Sequence, residues 1–154
     1  QVKLADDAHS CAVTRSGGVK CWGSNSHGQL GDSTTTNRAL PVDVVGLGEN
    51  VTAIAAGVYH TCAITASGGV KCWGWNAYGQ LGDGNNIDSN IPVQVSSLTD
   101  VVSVAAGYAH SLALKSDGTV WAWGHNSYGE LGYEDEDREL STIVPQISHV
   151  VGTP

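Results

Sequence analysis

Four cysteines and three evenly spaced histidines are the side chains in this sequence with the most chemistry to offer. Cys11, Cys21, Cys62 and Cys72 could pair as disulfides or bind a soft metal, and His9, His60 and His110 could transfer protons or act as ligands. Their spacing narrows the choice. The histidines stand 51 and 50 residues apart, and the two cysteine pairs have the same internal spacing, each beginning two places beyond a histidine. A tetrahedral zinc site needs more ligands than one such pair supplies, and the nearby histidine does not give a compact metal-ligand spacing. A histidine that recurs with a fixed period suits a structural hydrogen bond better than catalysis. The sequence also lacks a GxSxG elbow, an HExxH motif and a GxxxxGK phosphate loop. No catalytic residue, metal ligand or cofactor is therefore assigned.

Each of these histidines opens the same stretch: HSCAVTRSGGVKCWGSNSHGQLGD, HTCAITASGGVKCWGWNAYGQLGD and HSLALKSDGTVWAWGHNSYGELGY. Positions 11–32 and 62–83 are identical at 17 of 22 places, and 112–133 matches the second copy at 10 of 22. An internal period of this size implies units that pack on one another because none can bury its faces alone. The units fall at approximately 1–50, 51–100 and 101–154 of one repeat region, 1–154.

Apolar alternation around a glycine-containing turn predicts a β-hairpin in every copy. In the first, residues 9–14 and 18–22 form the strands and Arg15-Ser16-Gly17 the loop. This register sets Cys11 opposite Cys21 and Val13 opposite Val19; its equivalents are Cys62–Cys72 with Ile64–Val70, and Leu112–Ala122 with Leu114–Val120. Directly opposed Cα atoms lie about 4.5–5.5 Å apart, within or at the edge of disulfide reach. Both cysteines are replaced together in the third copy, so each pair reads as a unit. Disulfides Cys11–Cys21 and Cys62–Cys72 are expected, with small buried thiols as the alternative. Two pairs without an odd cysteine favour an oxidising compartment, hence an extracellular or cell-surface location.

Trp22, Trp73 and Trp123 each follow the second position of the pair and so face the other side of the strand, which predicts burial on both faces. Trp75 and Trp121 fall outside this threefold set and are candidates for partner contact. A stretch Gly-x-Asn-x-(His/Tyr)-Gly-(Gln/Glu)-Leu-Gly recurs at 23–31, 74–82 and 124–132, where Asn25, Asn76 and Asn126 suit the satisfaction of turn backbone groups. Pro41 and Pro92 lie equally far beyond Gly31 and Gly82, while Pro145 lies three places farther from Gly132, with short apolar segments after them at 42–45, 93–95 and 146–147. Counted this way, the third loop carries extra residues within an acidic run. Glu134, Asp135, Glu136, Asp137 and Glu139 of that run join Trp75 and Trp121 as candidate partner contacts. Segments Val51–Ala56 and Val101–Ala106 read as joining strands whose small residues suit the crowded centre of a radial array.

Seven basic residues against fifteen acidic give a formal charge of -8, which offers no footprint for nucleic acid or an anionic membrane. No apolar run approaches the length of a membrane-spanning helix, so no membrane insertion is expected. Without Met or Phe, the core must be assembled from Val, Ile, Leu, Ala and Trp.

The units GGVKCWGSNSHGQLGD, GGVKCWGWNAYGQLGD and DGTVWAWGHNSYGELGY, with their preceding AAGxxH segments, closely resemble the repeats of the regulator of chromosome condensation family. The resemblance implies an all-β fold of three propeller blades. Because propellers close with about 4–8 blades, it also implies part of a ring completed by other chains or by missing sequence. A six-bladed ring of two chains, a head-to-tail array, and a blade shared between the 1–7 segment and the far end of another chain are all expectations of this kind. The functional expectation is a non-enzymatic binding or structural module acting through protein–protein contacts or self-assembly. A fragment of a larger seven-bladed regulatory or inhibitor protein is the alternative, and a hydrolase domain a weaker one.

Overall fold

A computed structural model describes residues 8–48, 50–134 and 136–145. These residues form eleven strands and no helix, arranged in three antiparallel sheets. The first sheet contains β1 (His9–Val13), β2 (Val19–Gly23) and β3 (Arg38–Asp43). The second contains β4 (Val51–Ala56), β5 (His60–Thr65), β6 (Val70–Gly74) and β7 (Ser89–Gln94). The third contains β8 (Val101–Ala106), β9 (His110–Lys115), β10 (Val120–Gly124) and β11 (Arg138–Ile143). Strands follow chain order within each sheet, as short connections between sequential antiparallel strands require. The segments 1–7 and 146–147, on which the shared-blade and third apolar-segment expectations rested, lie outside the described residues.

The central hairpins have the expected register. Cys11 opposes Cys21, Cys62 opposes Cys72, and Leu112 opposes Ala122. Gly17 closes the first turn at φ 83°, a left-handed conformation that costs glycine no Cβ clash. Both cysteine pairs have disulfide geometry, with Cα atoms 4.1 Å apart in each.

The outer strands differ from expectation in a way that resets the loops. Pro41 and Pro92 lie inside β3 and β7 rather than before them. An edge strand accepts proline because only one of its sides must supply hydrogen bonds. Residues Val42, Val93 and Thr142 oppose Cys21, Cys72 and Ala122, so the counterpart of Pro41 and Pro92 is Ser141, not Pro145. The connections from Gly23 to Arg38 and from Gly74 to Ser89 are equal in length, and the one from Gly124 to Arg138 is shorter by a single residue. The acidic third loop is therefore a contracted version of its equivalents, and the expectation of an insertion there is corrected.

The core lies between sheets rather than within one. Cys21, Val19, Leu30 and Val51 pack with Ala63 and Trp73 at the first joint. Cys62, Ile64, Val70, Cys72 and Leu81 pack with Ala113 and Trp123 at the second. The first two sheets thus present their cystine sides to the following sheet, and the second and third their tryptophan sides to the preceding one, a direct consequence of alternation along β2, β6 and β10. The alanine-rich β4 lies against β1 and β8, where its small side chains permit close approach.

Candidate functional site

The repeated histidines are consumed in the joints. His9 Nε2 lies 2.7 Å from Thr61 Oγ1, and His60 Nε2 lies 2.9 Å from Ser111 Oγ. Thr61 donates its hydroxyl proton to the Gln29 carbonyl at 2.9 Å, and Ser111 donates to the Gln80 carbonyl at 3.0 Å. A hydroxyl has one proton, so the imidazole must be the donor in each pair, which fixes the tautomer protonated at Nε2. The same two carbonyls accept the indole N–H groups of Trp73 and Trp123 at 2.9 and 2.8 Å. Burial pushes the His9 imidazole down to about 4. Burial, reinforced by His9 and His110, pushes His60 down to about 3. These rings stay neutral at physiological pH and hold the sheets together. A Cβ on Gly57 would lie 2.7 Å from His60 Cε1, so this glycine makes room for the ring that follows it.

The long loops are organised around a buried asparagine. Asn25 donates from Nδ2 to Asp32 Oδ1 and to the carbonyls of Thr34 and Thr36, and accepts the Leu30 N–H at Oδ1. Asn76 repeats the pattern with Asp83, Asn85, Ile87 and Leu81. The backbone N–H groups of Asn25, Asn76 and Asn126 donate to the side chains of Asn37, Asp88 and Asp137. Asp137, a candidate partner contact, is thus a structural acceptor. Glu139 accepts from Asn86 Nδ2 at 2.8 Å. Glu134, Glu136, Asp137 and Glu139 line an open cavity of ≈ 790 Å³ together with Asn126 and Ser127, while Asp135 lies outside the described residues. Among the described residues, no group of three or more His, Cys, Asp or Glu side chains is placed to hold a metal ion.

The two candidate tryptophans lie on opposite rims. Trp121 sits beside the third hairpin turn, half-buried against the second joint, with its N–H donated to Thr119 Oγ1 at 3.1 Å and Lys115 Nζ 5.5 Å from its ring. Trp75 sits beyond the other end of the sheets, among rings that sequence reasoning did not single out. Tyr59, Tyr78 and Tyr108 surround it with centroids 5.4, 5.3 and 6.0 Å away. His27 extends the group towards the first repeat at 5.6 Å from Trp75, and His125 extends it towards the third at 4.6 Å from Tyr78. The signal was positional. Trp75 and His125 stand where the first repeat has Ser24, and positions 27, 78 and 128 hold His, Tyr and Tyr, so the threefold pattern hides that these rings share one rim.

The regulator of chromosome condensation (RCC1) repeat pattern matches residues 16–64, 67–114 and 117–151. The chain belongs to this repeat family. The RCC1 repeats here are 40% identical to the ultraviolet-B receptor UVR8 of Arabidopsis thaliana over 92 residues, 59% of this chain and 21% of the receptor. They are 45% identical to the RCC2 homologue of Danio rerio over 83 residues, 53% of this chain and 17% of that protein. In structure they resemble human WBSCR16 with a TM-score of 0.77 at 26% identity, over 88% of this chain and 37% of that one. Yeast RCC1 (Prp20), solved bound to Kap60, gives 0.76 at 25% identity, over 90% of this chain and 35% of that one. The chain therefore spans about a fifth of its curated relatives and about a third of the solved propellers. The relatives RCC2, RCC1 (Prp20) and the mitochondrial RUG3 of Arabidopsis thaliana are intracellular, in nucleus, cytoplasm or mitochondria, which overturns the expected extracellular or cell-surface location. The cysteines misled for a physical reason: hairpin register brings them together in any compartment, so their geometry carries no address.

Proposed function

We propose that the chain is a non-enzymatic protein-binding scaffold, a three-blade part of a propeller whose open sheet faces dock on further blades of its own or another copy. The observation that supports this most directly is the joint itself. At both joints, hydroxyl, imidazole, indole and carbonyl from neighbouring repeats satisfy one another. Ser10 and Trp22, the equivalents of Thr61 and Trp73, carry the donor half of another such joint, and His110 carries the imidazole half. One end of the array is thus chemically complementary to the other. The same arrangement leaves the repeated polar groups occupied in architecture rather than poised over a substrate, which supports the non-enzymatic reading.

Multi-angle light scattering across a concentration series tests it. The chain is expected at multiples of 15.9 kDa, and Trp22→Arg, which places a charge on the open face, is expected to return it to a single copy. A stable monomer at every concentration, unaltered by Trp22→Arg, overturns the docking reading.

A further inference from the structure

Seven rings form an unbroken run across the three repeats on the loop rim. Tyr59, Trp75 and Tyr108 make its centre, mutually near-perpendicular at 79°, 79° and 84° with centroids 5.4–6.0 Å apart. His27 lies 5.3 Å from Tyr59 at one end, and Tyr78, His125 and Tyr128 continue at 4.6 and 6.2 Å spacings at the other. Edge-to-face contact satisfies the ring quadrupoles without covering every face. Tyr108 and Tyr128 stand 59% and 91% exposed.

The charge of this rim is one-sided. Loops 24–37, 75–88 and 125–137 carry one, two and five carboxylates and neither Lys nor Arg. Arg15, Lys20, Lys71 and Lys115 belong to the hairpin-turn rim, while at the loop ends Arg38 is paired with Asp32 at 2.8 Å and Arg138 lies 5.7 Å from the Tyr133 ring. Asp88 and Glu130 enter the ring run directly, at 2.9 Å from the Nδ1 atoms of His27 and His125. Beside His27, the first two repeats enclose a cleft of ≈ 360 Å³ lined by Ser26, Asp88, Asn90 and Ile91.

Ring faces are electron-rich and attract cations, and adjacent carboxylates strengthen that attraction. An apolar occupant would have to strip water from those carboxylates and offer them no partner in return, and a nucleic acid would be repelled by them. We propose that this rim binds an extended Lys/Arg-rich segment of a partner protein, its cationic heads over Trp75, Tyr108 and Tyr128 and paired with Asp88, Glu134 and Glu136. The proposal rests on the protein-binding reading and names the partner's chemistry.

Fluorescence anisotropy with a labelled peptide of alternating Lys and Gly tests it, with the Glu-Gly peptide of equal length as control. The Lys-Gly peptide is expected to bind and the Glu-Gly peptide not. Cation–π contacts of about 0.5–2 kcal/mol translate into a roughly 2–30-fold loss in affinity for Trp75→Leu and for the exposed Tyr108→Leu, with Trp75→Phe restoring most of it. Trp121→Leu, on the other rim, is expected to leave binding unchanged. Equal affinity for both peptides overturns the proposal, as does binding indifferent to Trp75→Leu and Tyr108→Leu. Light scattering on the unsubstituted chain separates the two readings. Assembly retained while the Lys-Gly peptide fails to bind sinks the rim proposal alone, whereas absence of both sinks the scaffold reading with it.

Discussion

Strands β1 and β5 carry nearly the same sequence, His-Ser-Cys-Ala-Val and His-Thr-Cys-Ala-Ile, in the same register with their hairpin partners, yet they occupy different environments. In β5 the residues from His60 to Ile64 are all buried, whereas in β1 burial fades until Ala12 and Val13 are exposed. The following strands repeat the contrast, since Trp73 is fully buried and Trp22 is not. The second repeat has a described neighbour on both faces and the first on one. A propeller blade is therefore two half-sites, and identical residues become core only where the adjoining half is present.

The largest break in that contrast should come from the indoles. Trp73→Ala removes a buried side chain and an N–H···O bond at the first joint, and urea unfolding is expected to show a loss of about 3–5 kcal/mol. Trp22→Ala, compared where the chain is a single copy, should cost under about 1.5 kcal/mol. Equal costs would mean that Trp22 is as enclosed as Trp73 and that the two faces do not differ.

Next come the cystines. Cys62→Ser with Cys72→Ser removes a bridge at the second joint and is expected to cost about 2–3 kcal/mol by loop entropy alone. The third repeat keeps the register without cysteines, so Leu112→Cys with Ala122→Cys should cross-link under mild oxidation. A pair that stays reduced by mass measurement would show that the third hairpin is not equivalent to the first two.

The smallest effect is in pH. His9 and His60 are neutral when folded and protonate near 6.5 when unfolded, so the unfolded state binds more protons as pH falls. Stability is expected to be complete above about pH 7 and to be lost between there and the folded values of about 4 and about 3. From pH 7 to pH 6 the two rings together account for about 1–1.5 kcal/mol. His60→Gln should remove about half of that slope in urea titrations at the two pH values.

Much of the architecture was legible because it is local. A period-two apolar pattern around Gly17, Gly68 and Gly118 determines hairpin register by itself, and Val51–Ala56 and Val101–Ala106 have the predicted boundaries. The outer strands were misplaced because proline is a poor marker at an edge: Pro41 and Pro92 sit within β3 and β7, and only their pairing with β2 and β6 shows that Ser141 is the third equivalent. The candidate site was half legible. Trp75 stood out as an unrepeated indole, but Tyr59 and Tyr108 lie in turns one and two residues before His60 and His110, where no local pattern marks them.

The sequence alone determined the repeat, the hairpins, the facing of cysteines and tryptophans to opposite sides, and the charge of the loops, since each follows from residue type and spacing along one strand or turn. Tertiary structure decided which copies of those residues are buried, which carbonyl each indole and hydroxyl meets, and which rings from three separate turns share a rim. Those contacts cross from one repeat to the next, and a strand's own sequence holds no record of the neighbour that completes it.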